Sequence, residues 1–185
     1  MGTVSAAGTA GRVPISGSKL ESKETHLIMA ELDLAAHLRA TTRTAYDNLV
    51  NDLNALDEEK ASGSPNAALR PAIKVVAECG SINGLLADLV TTGTATMPAP
   101  DARAAYYATI TTRAEALAEL EKGTKKLYAA IDSVAPDRWG EMVQTPLGPM
   151  TLLGAAGFAA QHMMYHDGQI NYVHLLHGDT EMHWK

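Results

Sequence analysis

Gln161 to Tyr172 read QHMMYHDGQINY. They lie in a longer segment whose apolar residues, Leu153, Phe158, Met163, Ile170 and Val173, recur at helical spacing, which predicts a helix. His162 and His166 then stand one turn apart, separated by about 40° of arc and about 6 Å of rise. From that face both imidazoles reach a single ion. The same spacing also occurs in helices that bind nothing, so the meaning of the pair depends on what the rest of the chain brings to it.

The predicted helix opens with Thr151 as its cap and runs to about Leu176 in spite of Gly154, Gly157 and Gly168. Each glycine costs a helix about 1 kcal/mol against alanine, and close helix approach or a tight site would account for them. The terminal HGDTEMHWK leaves the helix at Gly178, with Trp184 expected to pack back on the fold. Upstream, Ala135 to Met150 hold several Pro and Gly, which predicts an extended connection with a short strand-like pair around Met142 to Leu147. Before it, Tyr107, Ile110, Ala114, Leu117, Leu127 and Ile131 share one side of a third helix, with Asp101 as its cap and its end ahead of Pro136. Thr91 to Pro100 is a loop by composition.

Residues 67–91 predict a second helix that is apolar nearly all round, with Pro71 tolerated in its first turn, and this should be the most buried element. A first long helix runs from Lys23 to near Asp57 on Leu27, Leu34, Leu38, Ala45, Leu49, Leu53 and Leu56, and Ala61 to Asn66 form a turn. Residues 1–20 are rich in Gly, Ala, Ser and Thr and read as a flexible tail, leaving 21–185 as one domain. The expected fold is all-α: an up-and-down four-helix bundle with a longer crossover between helices three and four. Composition agrees, with 46% hydrophobic, 19% charged and 5% aromatic residues. A net charge of −6 offers no basic face to nucleic acid and no polybasic membrane anchor. Apolar runs fall short of the roughly 20 residues that span a bilayer. No secretory signal is recognisable and Cys79 is the only cysteine, so the expected location is cytoplasmic.

Glu78 stands on the apolar second helix on the same face as Val75, Ile82, Leu85 and Leu89. A carboxylate there is paired, protonated or bound to a cation, because an isolated buried charge costs several kcal/mol. It is either a partner for Lys74 or a side chain that reaches solvent, or else, across a bundle, the third member of a site with His162 and His166. Two imidazoles and a carboxylate leave open positions on a divalent transition ion, the arrangement of a catalytic rather than a structural site. Gln169 stays on the His face and is either a contact for water or substrate or an ordinary buried amide. Asp167 points about 100° away from His166, toward a neighbouring helix or solvent. His26, His37, His174, His177 and His183 are weaker candidates, although Glu31 could approach the site from helix one. Cys79 is expected to be protonated and inert, and Tyr165 and Tyr172 to be wall residues.

The QHMMYHDGQINYV segment resembles the last helix of the DinB/YfiT-like superfamily of metalloenzymes, where a His-x-x-x-His pair is followed by Gly-Gln-Ile. PAIKVVAECGSINGLL resembles the second helix of that family, with Glu78 in the place of a third histidine. The resemblance covers about residues 24–177 and implies a DinB-like bundle, often a homodimer, with Glu78, His162 and His166 as metal ligands. A carboxylate in the third place makes the site harder, tilting it toward iron, manganese or nickel over zinc, or else marks a chain in which Glu78 accepts hydrogen bonds from the histidines. The activity it implies is metal-dependent chemistry on a small molecule, of the thiol-transfer or hydrolysis type. The alternative is a non-catalytic stress-related or small-molecule-binding dimer whose Glu–His cluster is a structural polar network.

Overall fold

The computed structural model describes residues 33–64, 66, 68–145 and 148–185. Among them are six α-helices and one two-stranded hairpin: α1 (Leu34–Ala55), α2 (Glu58–Ser62), α3 (Ala72–Thr92), α4 (Pro100–Ala108), α5 (Arg113–Asp132), β1 (Met142–Thr145), β2 (Gly148–Thr151) and α6 (Leu152–Leu176). The four long helices α1, α3, α5 and α6 make an all-α, up-and-down bundle. α3 packs along α5, α1 along α6, and α3 also meets α6. The expected tail, His26, Glu31 and the stretch of helix one before Leu32 lie outside the described residues.

Local chemistry sets the helix ends. α1 opens at Leu34, where the Asp33 carboxylate accepts from the Ala36 N–H at 2.9 Å and closes the first turn. It stops at Ala55, and Asp57 caps the short α2, whose last two residues fall in the expected Ala61–Asn66 turn. α3 begins at Ala72 with Pro71 just outside it, and ends on Gly93, whose φ of +75° suits a residue without a Cβ. Helix three is the larger correction, since it is two helices. The chain breaks at Thr109, and Thr112 with Glu115 forms a capping box that starts α5 afresh. Nor is Asp101 a cap: Pro100 takes the first helical position, leaving Asp101 in the first turn, where a negative charge suits the helix dipole.

The crossover from α5 to α6 carries a 3₁₀ turn at Pro136–Arg138 and the antiparallel hairpin, in which Met142 pairs with Thr151 and Thr145 with Gly148. Thr151 ends β2 and also caps α6, its hydroxyl accepting from Gly154 N–H at 3.0 Å. The backbone N–H groups of Leu152 and Leu153 donate to Glu141 and Trp139 carbonyls at 2.9 and 3.1 Å, so the crossover is fastened to the start of α6.

One apolar cluster gathers Leu49, Leu53, Ile73, Val76, Leu120 and Met163. Another gathers Leu86, Leu89, Leu127, Ile131, Trp139 and Leu152. Asn83, wholly buried, donates to Thr124 Oγ1 at 3.0 Å and to the Met163 sulfur at 3.5 Å, tying α3 to both α5 and α6. The tightest helix approach is at Gly80 on α3 and Gly123 on α5. A Cβ on Gly123 would fall 1.8 Å from the Gly80 carbonyl oxygen, and one on Gly80 2.3 Å from that of Glu119. Close approach therefore lies there and not at the α6 glycines, of which only Gly157 has another helix within reach, Leu38 at 3.6 Å. No helix among the described residues is long and apolar enough to cross a membrane.

Candidate metal centre

α6 turns Met163, Ile170 and Val173 into the core, and His166 follows them to 4% exposure while His162 is half-buried. The two Nε2 atoms face each other at 3.2 Å, with the ring planes at 85°. Phe158 stacks beside His162 and Tyr165 meets the edge of His166. His166 Nδ1 lies 2.9 Å from Gln169 Oε1. With the Gln169 oxygen as acceptor, Nδ1 of His166 carries the hydrogen, and its Nε2 lone pair points at His162. His162 then donates from Nε2, leaving its buried Nδ1 with no partner.

Burial, followed by the proximity of His166, lowers the His162 pKa to about 4, and burial also lowers that of His166. Both rings are consequently neutral near pH 7, the state in which imidazole binds a metal. Glu78 opposes the shift in both cases and Arg70 reinforces it.

Glu78 is not enclosed as the sequence suggested. Its side chain keeps 21% exposure, and Oε2 takes an ion pair from Arg70, which lies ahead of the start of α3. The Lys74 pairing does not form; that ammonium donates to the carbonyls of Tyr107, Ala108 and Ile110, closing the break between α4 and α5. The side chain whose donor atom gathers with the two imidazoles is Cys79: its Sγ and the ring nitrogens of His162 and His166 all lie within 4.8 Å of one another. Cys79 is wholly buried, and burial with the neighbouring Glu78 charge pushes its thiol far up, so it is no free nucleophile.

The donor set fits a divalent transition ion. Two imidazole nitrogens, each about 2.0–2.1 Å from one ion at about 90–109°, stand about 2.8–3.4 Å apart, and the pair stands at 3.2 Å. The buried His162 Nδ1 has no partner in either case, and it carries the ring hydrogen once an ion takes Nε2. His162 and Glu78 border an apolar cleft of about 280 Å³ with Ile82, Leu89, Phe158 and Arg103.

Two groups on the far turns of α6 escaped the sequence reading. Asp52 of α1 and Asp167 of α6 are both wholly buried. Burial, then the neighbouring Asp52, pushes the Asp167 carboxyl up to about 8. Asp52 Oδ2 accepts from Asn171 Nδ2 at 2.5 Å and from Trp184 Nε1 at 3.1 Å, so the terminal tryptophan does pack back on the bundle. Asp52 sits among Leu49, Leu53 and Leu56 on the buried stripe of α1, which was its signal in the sequence. The second group is His174, Asp179 and His183, whose donor atoms lie within 4.8 Å of one another.

A family model described as the DinB superfamily matches residues 34–170. Among solved structures, a mutant of the mycothiol-dependent maleylpyruvate isomerase is similar, with a TM-score of 0.60 and 17% identity, covering 76% of this chain and 62% of that one. This chain thus spans less than two thirds of that enzyme's length, and at such identity the likeness is one of fold. No curated protein matches the chain.

Proposed function

The chain belongs to the DinB superfamily, and from that premise we propose that it is a metal-dependent enzyme acting on a small molecule, with His162 and His166 as its first two ligands and Glu78 as the third. The observation that carries the reading is the facing of two neutral Nε2 atoms at 3.2 Å, the spacing of two ligands on one ion. Glu78 engages Arg70 through Oε2 alone, and Oε1 has no protein partner among the described residues. Cys79 is the rival third ligand, favoured by its closeness to the two rings. An ion held here would supply Lewis-acid chemistry.

The chain's own residues do the rest. Gln169 fixes His166 in the tautomer that offers Nε2 to the site. Ile82, Leu89 and Phe158 hold the apolar part of a small molecule and exclude water from it. Arg103, whose guanidinium has no ion-pair partner among the described residues, borders the same cleft and would meet an anionic group. Thiol transfer and hydrolysis both suit such a site.

The test is the metal content of the full chain purified without chelator, for the wild type and for His162→Ala, Glu78→Gln and Cys79→Ser. One transition-ion equivalent should be lost in His162→Ala, and whichever of the other two variants also loses it names the third ligand. A His162→Ala variant with unchanged metal content would sink the proposal. It would favour the second reading, a non-catalytic bundle in which the His–His–Gln chain and the Arg70–Glu78 pair are a polar network complete in itself.

A further inference from the structure

We propose that the turn after α6 builds a second cation site, separate from the His162–His166 pair, in which His174, Asp179 and His183 hold a divalent ion of the zinc type. Gly178, at φ +80°, turns the chain back on the end of α6. Asp179 N–H then donates to the His174 carbonyl at 3.0 Å, which brings the Asp179 side chain over the His174 ring. His183 arrives one helical spacing later. Asp179 Oδ2 lies 3.1 Å from His174 Nδ1 and 2.9 Å from His183 Nε2. Oδ1 is occupied elsewhere, accepting from Glu181 N–H at 3.0 Å.

The hydrogen positions on His174 point to a cation. Its ring is 2% exposed, and Nε2 lies 2.9 Å from the backbone carbonyl of Asp52. A carbonyl only accepts, so Nε2 carries the hydrogen, and with no proton on Nδ1 the ring presents that lone pair to the Asp179 carboxylate. Lone pair against carboxylate oxygen is repulsive, and something positive must stand between them. A backbone carbonyl holding the far nitrogen of an imidazole is also how proteins orient ligating histidines. Two imidazoles and a carboxylate suit zinc, cobalt or nickel better than calcium or magnesium, which take oxygen ligands. The rival occupant is a proton on Nδ1, making an ion pair instead of a metal site. Since His166 and His174 are eight residues apart, about 12 Å along the helix, one ion cannot serve both sites.

The experiment uses the full chain carrying His162→Ala and His166→Ala, stripped with chelator, dialysed and titrated with cobalt(II) chloride and then zinc chloride. The double variant should bind one cobalt per chain with visible d–d absorption that zinc abolishes. Binding should also quench Trp184, which is anchored on Asp52 beside the cluster. Adding Asp179→Asn or, independently, His183→Ala should weaken binding by about tenfold or more. Both residues lie beyond the last helix, and circular dichroism checks that the bundle persists. No cobalt uptake by the double variant means that a proton occupies the site, and unchanged affinity in both added variants means that the ion sits elsewhere. Either result overturns the proposal. The His162 and His166 background keeps this outcome separate from that of the first site.

Discussion

Gln169 holds the hydrogen on His166 Nδ1, so its contribution is felt at an atom it never touches. Removing it in Gln169→Ala frees the ring to change tautomer, and metal affinity at the His pair should fall by about 10- to 100-fold, while Gln169→Glu should retain most of it. Competition with a chromophoric chelator measures this; equal affinities would mean that the ring is held by its packing alone. The amide was visible in the sequence as a residue on the metal face, but not its role, because the identity of its partner depends on side-chain rotamers. The same holds at position 78. Helical geometry told correctly that Glu78 shares a face with Val75 and Ile82, yet not that Arg70 would reach it from beyond the start of α3. Cys79, buried with its thiol pushed up, is inert as a nucleophile, as its place in an apolar helix implies. Its nearness to the two imidazoles depends on how α3 and α6 cross, which no single-helix argument contains.

At the scale of the element, the glycines separate two kinds of cost. Gly80→Ala or Gly123→Ala must part α3 from α5, because the added carbon would run into backbone that has no rotamer to change. The gain in helix propensity, about 1 kcal/mol, should be outweighed, and a net loss of about 1–3 kcal/mol is expected from urea denaturation. Gly168→Ala should go the other way and stabilise by up to about 1 kcal/mol, since nothing lies within 4 Å of its new Cβ. A stabilised Gly123→Ala would show that the two helices can yield. Element existence was legible because amphipathic periodicity survives packing: the four long helices and the Thr151 cap follow from the sequence, and so does a hairpin, although β2 lies at Gly148–Thr151, past the expected Met142–Leu147. The break at Thr109–Thr112 was not, because Tyr107, Ile110 and Ala114 keep helical spacing across it. The Thr112–Glu115 capping box was its one local sign.

The molecule as a whole carries a pH dependence from its buried groups. Asp167 titrates at about 8 in the folded chain against an ordinary 3.8, so between those values the native state holds the extra proton and stability falls as pH rises. His162 acts oppositely. Its folded value of about 4 lies below the ordinary 6.5, so the unfolded chain holds the extra proton and stability rises across that interval. The two slopes offset below about pH 6.5, and only that of Asp167 is left from about 6.5 to 8. In chelator, the melting temperature should decline over that window, and Asp167→Asn should flatten the decline; an equal decline in the variant would place its origin in other groups. The homodimer implied by the resemblance is a further proposal at this scale, checked by sedimentation equilibrium of the full chain, where a single monomeric species would refute it. Asp52 had its signal on the buried stripe of α1, but its meeting with Asp167, 115 positions away, and the C-terminal cluster across its turn had none, because periodicity says nothing of either.

The meeting of Gly80 and Gly123 also bears on how such a site can change over generations. Backbone rests on backbone two residues from Glu78, so the depth and rotation of α3 are set without help from the side chains around the histidines. An exchange at 78 can therefore change the side chain that α3 presents while the backbone contact that positions it stays the same. The bundle thus separates the contact that sets the position of α3 from the side chain carried at 78.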